Sequence, residues 1–428
     1  MKINKRKALS FTARLVTGLI ILFNGNLSYG QVNGCRDSLA NNFNPNATVN
    51  DGSCTYNPTT YSPPVKVDRI SDSLIESSGL QMAGNFLWSF NDGGGAAAIY
   101  RIDTITNTPL QKVNLAGAVN VDWEDIAFDG TNFYIGDFGN NANGARTDLK
   151  IYKFPFSAIP DYATDPVASI PAAQIEVIHF SYSDQPQPPV PASSNNTKFD
   201  CEAMIVDNGK VHLFTKNWID LTTTHYEIGG VIAGTYTATP LETLATNYLV
   251  TAADKVPGQK LVVLMGYKNT GTASHFMHLL TDYAGENYFS GNKRPIDLPD
   301  VLSMGQAEGI CFRTSTYGYI SNEKFVRYIG TTPFITVYQK LHSFDISRFI
   351  PGLALAYYFI GDGNWNEPAN WSNNVVPPPV TKTGSEIIID PQPFGKCVLN
   401  IPYTVSTGSK LIVKPAKVFV IQGNLTIQ

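Results

Sequence analysis

The chain has 428 residues, of which 43% are hydrophobic, 11% aromatic and only 15% charged, with a net charge of −4. That length predicts two or three domains, and 35 Gly with 27 Pro suit strands joined by tight turns better than long helices. The mild acidity and the lack of any basic block exclude a nucleic-acid footprint and a charged membrane-surface patch.

Residues 1–30 place Lys2, Lys5, Arg6, Lys7 and Arg14 ahead of an apolar run from Leu15 to Phe23 and finish in Ser28-Tyr29-Gly30. A basic start, an apolar stretch too short to span a bilayer and small residues before Gln31 predict a secretory signal peptide cut near Gly30. A retained N-terminal anchor is the alternative. The mature chain is then exported, either secreted or held at the outer cell surface, without a membrane span. Export permits disulfides. Cys35 and Cys54 bracket one short segment and are expected to pair, which leaves Cys201, Cys311 and Cys397 with their state open.

Residues 31–56 form a small Asn- and Asp-rich module of their own. Cys35-Arg-Asp37-Ser-Leu-Ala40-Asn-Asn42-Phe43, continued by Ala47 and Asn50-Asp51-Gly52-Ser53-Cys54, resembles a short repeat of secreted and surface proteins of the Bacteroidetes, with Phe43 for its Tyr and Asn50 for its first Asp. Asp37, Asn42, Asn50 and Asp51 offer hard oxygen ligands suited to Ca2+. The competing reading makes them turn formers in a disulfide-closed loop, and the loss of one Asp favours it. A Pro-rich linker over 57–64 follows.

From Val65 to about residue 350 the chain repeats itself. Glu76-Ser-Ser78-Gly-Leu, Asp122-Trp-Glu124-Asp-Ile, Asp200-Cys-Glu202-Ala-Met and Gln306-Ala-Glu308-Gly-Ile are each followed, about ten residues on, by an aromatic or β-branched run; a fifth copy begins at Val250-Thr251. Such units predict a β-propeller of five blades, with six as the alternative because the stretch from Pro155 to Lys198 is long. Third strands are expected at Ala98–Ile102, Lys150–Phe154, Thr224–Ile228, His275–Leu279 and Leu341–Asp345, and a fourth at Gln174–Phe180. The last unit lacks a fourth strand, whereas Val65–Ile70 has no unit of its own; their pairing would close the ring and leave no open sheet edge. Gln185–Pro191 is expected to be an exposed loop, inert or a lid.

Residues 354–428 change character to short apolar rungs separated by Gly, Lys and Pro, which predicts a small β-solenoid or β-sandwich. Gly363-Asn-Trp365-Asn-Glu-Pro368-Ala-Asn370-Trp371 resembles a Gly-x-Trp-x-x-Pro-x-Asn-Trp module of large bacterial surface proteins, its Trp residues being core staples or a sugar platform.

In a propeller the first strand of each unit lines the central tunnel, so its start and the end of the second strand reach one face. Ser78, Glu124, Glu202, Thr251 and Glu308 should therefore ring the tunnel mouth, with Asp92, Asp137, Lys216 and Glu323 joining them. So many carboxylates are hard to keep charged without compensation. Glu124, Glu202 and Glu308 are the candidate ligands of a cation, Ca2+ for preference, with Lys216 and Arg146 as the competing compensation. The opposing view makes each Glu an acceptor of backbone N–H groups that locks neighbouring blades together.

These phrases, together with Asn91-Asp92-Gly, Asp137-Phe-Gly-Asn-Asn141, Arg146 and Asn322-Glu323, resemble an uncharacterised family of secreted Bacteroidetes-type β-propellers over about residues 65–350. More distantly they are similar to phytase-like and gluconolactonase-like propellers, although Ser78 and Thr251 interrupt the carboxylate ring. The expected function is a binding or scaffold module for a small molecule, glycan or protein at the cell surface. The alternative that the resemblance implies is a metal-dependent hydrolase of phosphate esters or lactones, with Glu124, Glu202, Glu308 and Asp137 on the metal and Lys216 and Arg146 on the substrate anion. No Gly-x-Ser-x-Gly, His-Glu-x-x-His or phosphate-binding Gly-rich loop is present.

Overall fold

The computed structural model describes residues 31–428 apart from 107, 269–273, 351–355, 372–375, 382–384 and 393. The expected signal peptide lies outside these residues. The described chain is nearly all β, with one short α-helix at Val301–Met304 capped by Asp300, whose carboxylate accepts from the Ser303 N–H. Among the described residues no helix is long and apolar enough to cross a membrane.

The repeat becomes successive antiparallel meanders. Their inner strands are Ser77–Ala83, Trp123–Phe128, Cys201–Asp207, Leu249–Lys255 and Gln306–Phe312, each beside the next, with the last returning to the first. The fold is β-propeller-like. Hairpins between inner and second strands are tight where the sequence supplies residues that tolerate positive φ: Gly84 and Asn85 both adopt it, as do Asn208 and Gly209, which matches the twist of the flanking strands. Aromatic and branched side chains from facing sheets fill the space between neighbours, as where Trp88, Phe90, Trp123 and Phe133 pack together.

The outer edges are covered in different ways. Val65–Val67 pairs antiparallel with Leu341–Asp345, so the N-terminal strand completes the last unit, although it is shorter than the Val65–Ile70 expected. The long stretch after Pro155 sends Val167–Ile170 to the first sheet, parallel to Pro109–Leu115, and Glu176–Tyr182 to the second. Glu176–Tyr182 also pairs in parallel with Gly234–Leu244, welding the second and third meanders into one eight-stranded sheet. The Gln185 loop packs on a neighbouring loop through Gln185 Nε2 to Gly144 O at 2.9 Å.

The N-terminal module is closed by the Cys35–Cys54 disulfide. Asp37 accepts from Leu39 N and the Tyr56 hydroxyl, both at 2.8 Å, while Asn42 Oδ1 accepts from Thr55 N at 2.8 Å and Asp51 Oδ1 from Ser53 N at 3.0 Å. Asn50 Oδ1 accepts from Gly52 N at 3.2 Å, and its amide donates to Asn292 Oδ1 at 2.8 Å, docking the module on the fourth meander. All four predicted Ca2+ ligands accept hydrogen bonds within the module, and Asn50 also docks it.

At the other end, Glu386–Ile389, Lys396–Leu399 and Tyr403–Val405 pair in parallel with Lys410–Val413, Val418–Ile421 and Leu425–Ile427. Trp365 and Trp371 are buried between these ladders with ring centroids 4.8 Å apart.

Three buried histidines weigh against stability in acid. Burial lowers His278 and His342 from their ordinary 6.5 to about 4, and His212 to about 3. Each is neutral when folded and protonated when unfolded below pH 6.5, so the unfolded state binds more protons and the histidine contribution falls as pH drops from about 6.5 toward 4. Urea unfolding at pH 7.5, 5.5 and 4.5 should show a smaller acid loss in a His278→Gln, His342→Gln variant than in the parent. An equal loss would remove the histidines as its cause.

Candidate functional site

Every inner strand begins with an irregularity. The register slips between Ser77 and Leu80, Trp123 and Asp125, Cys201 and Ala203, Val250 and Ala252, and Ala307 and Gly309, one extra residue each time. The repeated residues Ser78, Glu124, Glu202, Thr251 and Glu308 occupy these bulges. A bulge re-aims a side chain out of the ladder, which is why one residue per unit can turn to the tunnel mouth.

The hydroxyl and carboxylate positions then diverge. Ser78 Oγ donates to Glu124 O at 2.7 Å and Thr251 Oγ1 to Ala307 O at 3.2 Å, each tying its strand to the next meander. The interruptions of the carboxylate ring are therefore latches between neighbours. Glu202 lies against Lys216, whose ammonium donates to both carboxylate oxygens; the two side chains are each 4% exposed. Although burial opposes the Lys216 charge, Glu202 and its acidic neighbours raise the ammonium well above its ordinary range. Trp218 and Tyr267 pack beside the ammonium, 4.9 and 5.2 Å from it.

Asp137 and Arg146, both expected at the site, hold each other instead. Arg146 Nη2 donates to Asp137 Oδ1 at 2.8 Å, Nη1 to Gly139 O at 2.8 Å and Nε to Asp148 Oδ1 at 3.1 Å, while Lys150 approaches Asp137 Oδ2 at 3.1 Å. Asp137 thus faces two cations, although its buried Oδ2 accepts no hydrogen bond, and Arg146 donates to Asp137, Gly139 and Asp148. Asp200 likewise accepts from Asn140 N and Trp218 Nε1, both at 2.7 Å.

Five other carboxylates remain at the mouth. Ligand oxygens of Asp92, Asp122 and Glu124 lie within 4.8 Å of one another, and so do those of Asp92, Glu308 and Glu323. Gln306 bridges the last two, donating to Glu308 Oε1 at 2.7 Å and Glu323 Oε2 at 3.2 Å. Glu124 is 2% exposed, and among the described residues none donates a hydrogen bond to its carboxylate. Gly93 and Gly139 make room for this cluster, since a Cβ on either would run into the Asp122 carboxylate, and one on Gly139 into Glu124 as well. Burial and then Glu308 push Asp92 up to about 7; burial and then Asp200 push Asp122 to about 6. Glu124 and Glu323 are also raised well above the usual range, by burial first and by neighbouring carboxylates next. The cluster is thus strained by its own charge. Asp122 was legible as a rim residue two positions before Glu124, but nothing local marked it as a partner of Asp92.

Two further carboxylates escaped the sequence reading. Asp125 accepts from Met204 N at 2.6 Å and Ile126 N at 2.8 Å; Asp254 accepts from Phe312 N at 2.6 Å and Lys255 N at 2.8 Å. The backbone-locking role imagined for the repeated Glu residues belongs to these Asp residues. His275 and His278 go separate ways, His275 between Pro299 O and Ala307 N and His278 to the Tyr248 hydroxyl.

A cavity of about 980 Å³ lies at the opposite end of the tunnel, under the tight hairpins, where Asp129, Asp207 and Arg313 face Glu386 and Asp390 of the C-terminal ladders. It contains none of the mouth carboxylates.

No protein-family model and no curated protein matches the chain. Among solved structures it is similar to the PQQ-bound aldose sugar dehydrogenase of Streptomyces coelicolor, at 12% identity over 66% of this chain and 99% of that one, with a TM-score of 0.35. It is similar also to a family 117 glycoside hydrolase of the marine bacterium Zobellia galactanivorans, at 11% identity over 68% and 90% with a TM-score of 0.37. A third likeness is to a putative 6-phosphogluconolactonase of Bacteroides uniformis, at 12% over 60% and 68%, TM-score 0.28. The propeller-like architecture is accordingly carried by the sheets of this chain itself.

Proposed function

We propose that this is an exported five-bladed propeller, followed by a solenoid-like module, that binds a ligand at its tunnel mouth through a divalent cation, Ca2+ for preference. The carrying observation is the Asp92, Asp122 and Glu124 group, whose oxygens share one volume while the buried Glu124 carboxylate lacks a hydrogen-bond donor among the described residues. Oxygens that share a Ca2+ at about 2.3–2.6 Å lie at most about 5 Å apart, and an all-oxygen, all-carboxylate set suits a hard cation. The residues present fit such an ion. Asp92, Asp122 and Glu124 would hold it, and it would supply a positive centre for an anionic or hydroxyl-bearing ligand.

Glu202 leaves the ligand set of the sequence reading, because Lys216 already neutralises it. The Cys35–Cys54 bridge accords with an oxidising, extracytoplasmic setting.

Thermal unfolding of the mature chain with Ca2+ and with EDTA tests the reading. Ligand that binds only the folded state at about a hundred times its dissociation constant adds about 2.7 kcal/mol, so Ca2+ should raise the melting temperature by several degrees, and Glu124→Gln should abolish most of that rise. Identical melting in Ca2+ and EDTA would end the cation reading. Ca2+-dependent turnover of a phosphate ester or lactone would replace the binding module by the hydrolase.

A further inference from the structure

We infer that the tunnel mouth takes a pair of divalent cations bridged by the Asp92 carboxylate, one against Asp122 and Glu124 and the other against Glu308 and Glu323. The inference deepens the cation reading above and rests on it. Three observations carry it.

The first is connectivity. The two carboxylate groups share Asp92 and nothing else, and the five residues do not form one mutually close set. A single ion held by one group would therefore leave the other without a cation. The second is blade order. The inner strand Ser77–Ala83 lies between Gln306–Phe312 and Trp123–Phe128. Asp92 directly follows the second strand of that middle unit, Phe86–Asn91, with one partner pair on each side. A carboxylate so placed can bridge two centres, and its Oδ1 also accepts from Gly93 N.

The third is charge. Fully ionised, the five carboxylates leave three net negative charges against one divalent cation and one against two, at a site where Glu124 and Glu308 are buried and Asp92, Asp122 and Glu323 half-buried. Lys216 does not change this balance, because its charge is matched by Glu202. Buried charge without a partner is costly, and Glu124, 2% exposed and without a hydrogen-bond donor among the described residues, is aimed into the first of the two positions.

The test is stoichiometry. The mature full-length chain, stripped with chelator, is dialysed to equilibrium against Ca2+ and the bound metal is counted by atomic emission. Two ions per chain are expected for the parent. One is expected for Asp122→Asn with Glu124→Gln, one for Glu308→Gln with Glu323→Gln, and weakened binding at both positions for Asp92→Asn, with circular dichroism as the check on folding. One ion in the parent overturns the pair and leaves the single-cation reading standing. None overturns both. Two ions retained in both double variants would place the metals elsewhere and overturn the pair.

Discussion

Replacing Lys216 by Met should lower stability by about 3–5 kcal/mol, the usual cost of removing one member of a buried ion pair. Lys216 and Glu202 are each 4% exposed, and the ammonium meets both oxygens of the carboxylate. Without it, Glu202 is left beside Asp200 and Glu308 with no counter-charge, or must take a proton. Adding Glu202→Gln to the Met variant removes the stranded charge and should restore most of the loss. Urea unfolding of the two single variants, the double variant and the parent measures the coupling directly. A single-variant cost below about 1 kcal/mol, the range of an exposed pair, would show that solvent already reaches this part of the mouth. On the cation reading proposed above, Ca2+ should recover part of the loss in the Met variant, because the freed carboxylate then adds to the ligand set.

Much of the fold could be read from the sequence because it repeats. The phrase around each repeated residue marks the start of an inner strand, and the third strands fall within a residue or two of their expected places, as at Ala98–Ile102 and Leu341–Asp345. Closure by Val65–Val67 followed from counting strands. The parallel pairing of Glu176–Tyr182 with Gly234–Leu244 did not, since it joins outer strands of different units and leaves no periodic trace in either. The hairpin Phe325–Ile329 with Thr332–Val337, inserted inside the last unit, was likewise invisible to a repeat argument. At the site, residue type gave the ring but not the division of labour within it. Glu124 and Glu202 are the same residue in the same bulge; Lys216 beside one and a missing donor beside the other separate them, and that information lies in the partners.

Asp125→Ala should cost about 2–6 kcal/mol, since it leaves the N–H groups of Met204 and Ile126 buried without their acceptor at about 1–3 kcal/mol each. Burial pushes this carboxyl well above its usual range, and those two N–H groups are what draw it back. Asp254→Ala should behave alike, because Phe312 and Lys255 donate to it in the same way. Asn is a poor replacement at either position: its oxygen can accept one of the two bonds, while its NH2 group would face the other donor. Ser78→Ala should cost only about 1 kcal/mol, as it removes a single neutral hydrogen bond to Glu124 O. Denaturant unfolding in EDTA keeps any bound cation out of the comparison. Neighbouring inner strands would then be held mainly by Asp125 and Asp254, buried below the mouth, leaving Asp92, Asp122, Glu124, Glu308 and Glu323 free to serve a ligand. Losses below about 1 kcal/mol at both Asp positions would show that these bonds do not hold the inner strands together.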